Sequence, residues 1–143
     1  MSTVTERRIP RTGVVLGWVS ILFGALTAFS PLLPVAERFS TAHLTFFVLL
    51  GLTGAIAGID ALRGSSHAFY VLWYVYAVQM FAYASESLTF SFMAPYSITF
   101  GMGDYDPPSL LSINVPAIGA CLVALYNARF LRRAATVPAD SAE

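Results

Sequence analysis

Four polar residues interrupt the most aromatic apolar run of the chain: Tyr76, Gln79, Tyr83 and Glu86, spaced three, four and three apart. On a helix that spacing puts all four on one face. A carboxylate within an apolar run is costly. It usually faces a bundle interior or a wet cavity, where desolvation favours its protonated form. Beside an amide and two phenol hydroxyls, it would suit proton or cation handling. The same residues admit a plainer account, in which Glu86 reaches the water boundary and Gln79 hydrogen-bonds between two helices. Asp60 and Arg63 need no chemistry at all, since an i,i+3 ion pair at a helix end explains them.

Other reactive side chains are sparse. Cys121 is the only cysteine, so an internal disulfide and a CxxC motif are both excluded, and in its apolar setting it reads as a packing residue. His43 and His67 sit at opposite ends of neighbouring apolar runs. If each run crosses a bilayer, about 30 Å separates them, too far to share one metal or haem. Neither a metal nor another cofactor is expected. G-x-S-x-G, Walker, H-E-x-x-H and dinucleotide motifs are absent, so no catalytic residue is assigned and the reading leans against an enzyme.

The elements that hold these residues are set by hydropathy. Only 11% of the 143 residues are charged, against about 25% in a soluble domain. The formal net charge is zero, which gives no pull toward nucleic acid. Apolar runs cover residues 13–33, 42–62, 67–90 and 110–131. About 20 residues of helix cross a hydrocarbon core of about 30 Å. The runs are too long for barrel strands and lack their alternation, and a helix satisfies its own backbone in lipid. The expected fold is therefore an all-α membrane protein, a four-transmembrane-helix bundle of up-down topology.

Punctuation supports those boundaries. Pro31 and Pro34 close the first run, and Arg63-Gly64-Ser65-Ser66 makes a tight link between the second and third. The fourth span starts either near Ser109, with Pro116 as a kink, or at Asn114, with Pro116 harmless in the first turn. The earlier start is preferred because it gives the longer span. The outer loop, residues 91–109, holds Pro95, Gly101, Gly103, Pro107 and Pro108, so no continuous helix is expected there. It is also rich in apolar residues, which suits a surface-lying, re-entrant or partner-docking segment. Residues 1–12 read as a cytoplasmic tail and residues 134–143 as a disordered one.

Orientation follows from arginine placement. Arg7, Arg8, Arg11, Arg63, Arg129, Arg132 and Arg133 fall on one side of the four spans and Arg38 alone on the other. This puts both termini in the cytoplasm and the 91–109 loop in the periplasm or outside the cell. Small residues, Gly13 and Gly17 in the first span and Gly51, Gly54 and Gly58 in the second, mark helix-packing faces. They serve either contact between those two helices or a homo-oligomer interface. The expected protein is a non-catalytic, small multi-pass protein of the cell (inner) membrane. Its partners are the lipid bilayer and either further copies or a larger membrane complex, in which it is a subunit or accessory protein. The alternative is a small proton- or cation-linked transporter or channel using Glu86 and Gln79.

Overall fold

The computed structural model describes residues 9–32, 40–85, 89–91, 99–105 and 108–136. Helix α1 (Arg11–Ala28) opens on Pro10, whose carbonyl accepts from the amides of Gly13 and Val14 at 2.9 and 3.2 Å. It stops at Phe29 because Pro31 has no amide to continue the ladder, and a 3-10 turn, Ser30–Leu32, follows. Helix α2 (Thr41–Leu62) is capped by the Ser40 hydroxyl, which accepts from the His43 amide at 3.3 Å. Both helices are long and apolar enough to cross a membrane.

The α2–α3 link forms as the glycine predicts. Gly64 has φ +81°, the left-handed region that favours glycine, and the Ser65 amide reaches back to the Asp60 carbonyl at 3.2 Å. The Gly64 amide bonds the Ala61 carbonyl at 3.0 Å, completing a Schellman closure of the α2 carbonyls. Ser65 then caps helix α3 (Ser66–Ala77) by accepting from the Ala68 amide. Asp60 and Arg63 pair across this turn at 3.1 Å.

Beyond Ala77 the structure departs from the expected third span. Residues 67–90 do not form one helix: α3 has only 12 residues, and the chain becomes strand β1 (Phe81–Ser85) and then β2 (Thr89–Ser91). The expected outer loop is also structured, with β3 (Thr99–Tyr105) and β4 (Pro108–Asn114). These strands form one antiparallel sheet in the order β2-β1-β4-β3. The fold is thus mostly helical rather than all-α. The physical reason is periodicity. Phe81-Ala82-Tyr83-Ala84 alternates large and small residues, a period of two that a count of apolar length ignores.

Helix α4 (Val115–Thr136) begins later than the preferred start of the expected 110–131 span. Asn114 caps it, its Oδ1 accepting from the Ala117 amide at 3.2 Å, and Pro116 lies harmlessly in the first turn. The Asn114 amide in turn donates to the Met80 carbonyl at 2.8 Å, tying the start of α4 to the end of α3.

Packing between α1 and α2 is backbone on backbone. A Cβ on Gly24 would lie 2.6 Å from the Gly51 carbonyl oxygen, and one on Gly51 would lie 2.5 Å from the Gly24 carbonyl oxygen. Lower down, a Cβ on Gly58 would meet the Gly17 carbonyl oxygen at 2.7 Å. Gly54 is looser, its nearest neighbour being Val75 Cγ1 at 3.5 Å, and Gly13 faces Asn127 Oδ1 rather than α2. A core of Leu16, Ala57, Ala61, Phe69, Leu72 and Ala128 joins all four helices near the α2–α3 turn.

These distances separate the glycines. Gly51→Ala should destabilise the fold by about 1–3 kcal/mol through overpacking. Gly54→Ala should be neutral or stabilising by up to about 1 kcal/mol through helix propensity. Thermal unfolding of the purified variants in detergent measures both, and equal losses at the two positions would contradict the contact.

Candidate functional site

Where α3 and α4 give way to strands, the four helices line an open-sided cavity of about 160 Å³. Gly24, Gly51 and Gly54 line it on the side where α1 and α2 meet. The remaining wall is apolar apart from a few groups, and among the described residues none that lines it carries a formal charge.

Those polar groups are placed by helix ends and by one long-range bond. Ser20, from the middle of α1, shares a hydrogen bond of 2.9 Å with the Tyr76 hydroxyl near the end of α3. Gln79 lies just past α3, and its Nε2 donates to the Val75 carbonyl at 2.9 Å, satisfying one of the carbonyls the helix end leaves open. Its Oε1 has no partner among the described residues, and neither does Asn114 Nδ2. Both residues are buried and both line the cavity. Neither atom is sealed away, because the one enclosed and unpaired side-chain polar atom among the described residues is Ser30 Oγ. The cavity therefore offers an acceptor at Gln79, a donor at Asn114 and a hydroxyl pair at Ser20 and Tyr76.

Of the four residues singled out by helical spacing, the structure brings Tyr76 and Gln79 to one cavity. Tyr83 is not on their helix face, because it lies in β1, opposite Phe90 and Leu111 in the backbone register. Glu86 lies outside the described residues. Ser20, Thr27 and Asn114 were not expected at the site. Ser20, Gly24 and Thr27 are spaced four and three apart in an otherwise apolar helix, and that stripe of small and hydroxylated residues was the available signal.

The other reactive side chains stand apart. Cys121 is buried, and its thiol donates to the Trp73 carbonyl at 3.2 Å. His43 bonds the Ser40 hydroxyl at 2.8 Å at the start of α2, while His67 is exposed at the start of α3. Among the described residues, no group of three or more His, Cys, Asp or Glu side chains comes together as a metal site. Comparison with protein-family models, curated proteins and solved structures found no match for this chain.

The Ser20–Tyr76 bond spans the cavity from α1 to α3. Ser20→Ala and Tyr76→Phe should each cost about 1 kcal/mol, and the double variant should cost less than the sum because both remove one interaction. A double-mutant cycle on detergent unfolding measures this. Strict additivity would mean that the two hydroxyls do not bond to each other.

Proposed function

We propose that this chain is a non-catalytic integral protein of the cell membrane, multi-pass with both termini cytoplasmic. It acts as a small binding or accessory subunit through its helix faces and its central cavity. The observation that carries this reading is the radial order of side chains. In α1 the inward positions are Gly13, Leu16, Gly17, Ser20, Gly24 and Thr27. Facing outward on the same helix are Trp18, Leu22, Phe23 and Leu26, with Phe29 just past its end. Outward Leu49, Leu52 and Ile56 on α2 and Leu122, Tyr126 and Phe130 on α4 repeat it. A soluble helix does the reverse, burying its large apolar side chains. Small residues inside and large apolar ones outside suit helices that pack through their backbones in lipid.

In this reading the remaining two passages are α3, about 18 Å long at 1.5 Å per residue, with the turn and strand β1 that follow it, and α4, whose 22 residues are long enough for a core of about 30 Å. Arg11, Arg63, Arg129, Arg132 and Arg133 then gather at one end, which supports cytoplasmic termini. Among the described residues the cavity lining is uncharged, which favours holding a neutral molecule over conducting an ion.

Reporter fusions test the arrangement. A reporter active only in the cytoplasm should work after residue 143 and at Gly64, and one active only outside should work at position 106. The chain should also stay in the membrane pellet at alkaline pH. Release by carbonate, or a cytoplasmic signal at position 106, would contradict the proposal.

A further inference from the structure

We infer that the cavity is a lateral binding site for a neutral, lipid-soluble molecule with a ring-sized head bearing a hydroxyl or carbonyl oxygen, which enters between α1 and α4. The inference rests on the membrane reading above and adds the ligand class and the route.

The route follows from exposure around the wall. Lining residues contributed by α2, α3 and the turn after α3 are buried (Gly51, Gly54, Val75 and Gln79) or half-buried (Leu50 and Tyr76). The exposed ones, Val19, Phe23 and Pro116, all lie on α1 and α4. The mouth is therefore the α1–α4 seam. That seam is pinned at its other end, where Asn127 Nδ2 donates to the Thr12 hydroxyl at 3.3 Å and Gly13 lets α1 close on Asn127. At the level of the cavity Ala120 is the α4 residue beside Pro116 and Ala117, and its small side chain leaves the gap open. The outward neighbours along both helices are Leu22 and Leu122, so the mouth faces the same apolar surround as the rest of the outer surface.

Volume and chemistry define the occupant. A buried apolar cavity of about 150 Å³ accepts a benzene ring, so about 160 Å³ holds a six-membered ring with little to spare. A charged head is disfavoured, because no described lining residue offers a counter-charge and burying an unpaired ion is prohibitive. A hydroxyl or carbonyl oxygen is favoured. It can accept from Asn114 Nδ2, and a hydroxyl can also donate to Gln79 Oε1, two side-chain atoms without a partner among the described residues, on residues that line the cavity. An alkyl tail on the ring would leave through the seam into lipid.

The test uses the full chain in phosphatidylcholine nanodiscs, with 4-hexylphenol as probe and protein-free nanodiscs as blank. Equilibrium dialysis should find one saturable site per chain above the blank. Hexylbenzene, which lacks the hydroxyl, should bind about tenfold more weakly, and 4-hexylbenzoate should show no saturable excess. Gln79→Leu should cause a similar tenfold loss for the phenol. Ala120→Phe should abolish binding by filling the mouth, while Gly119→Phe, which has open space around it, should leave binding unchanged. Absence of saturable excess, or equal binding of phenol and hexylbenzene in the wild-type chain, would overturn the inference. So would full binding by Ala120→Phe. If Gln79→Leu does not fold, the comparison of the three probes on the wild-type chain still decides. A chain that stays in membranes at alkaline pH yet shows no excess defeats this inference alone, whereas one that washes out defeats the membrane reading as well.

Discussion

Gly24 and Gly51 face each other across α1 and α2 so closely that neither could carry a methyl group without meeting the opposite backbone. Gly17 and Gly58 repeat the arrangement one to two turns along. Two long helices held at this spacing act as one rigid hairpin, and the shorter α3 and the later-starting α4 pack against it. Where apolar surroundings remove the hydrophobic drive between helices, close dispersion contact between backbones is the main source of association.

The junction of helix and strand sets the second constraint. Backbone polar groups away from water need partners, and irregular backbone is tolerated at membrane depth only where it is buried in protein or lines a cavity. The turn after α3 meets that requirement. The Gln79 amide bonds the Tyr76 carbonyl, the Met80 amide bonds the Ala77 carbonyl, and the Met80 carbonyl accepts from Asn114. Gln79 adds its side chain to the Val75 carbonyl. Gln79 thus spends its amide nitrogen on closing a helix end rather than on an ion path. Among the described residues, its amide oxygen, the Asn114 amide nitrogen and the Ser20–Tyr76 hydroxyl pair are what the cavity residues retain.

The sequence made the hairpin legible because its signals are local. Uninterrupted apolar length marks α1 and α2, Pro31 marks the first stop, and the Arg63-Gly64-Ser65-Ser66 link marks the turn. The switch at Ala77 was not legible by the same means. Aromatic and β-branched residues serve both strand and apolar helix, so length alone read through Tyr76 and Tyr83 as one face. Helical spacing carries information only while the helix continues, which is why Tyr76 and Gln79 share the cavity while Tyr83 lies in β1. Asn114 was recognised as a cap but passed over, because a start there was counted as a short span, whereas α4 runs on to Thr136. The cavity itself depends on groups from three distant segments, α1, the end of α3 and the start of α4, and no single window contains them.

The central claim is that the outward apolar side chains of α1, α2 and α4 face lipid. It is tested most directly by spin labels placed one at a time at Leu22, Leu52 and Leu122, in a Cys121→Ala background, with the protein in proteoliposomes. Power-saturation measurements should find each label relaxed far more by oxygen than by a water-soluble nickel chelate, with the opposite preference at Arg132. Nickel access at Leu22, Leu52 and Leu122 equal to that at Arg132 would place those faces in water and contradict the account.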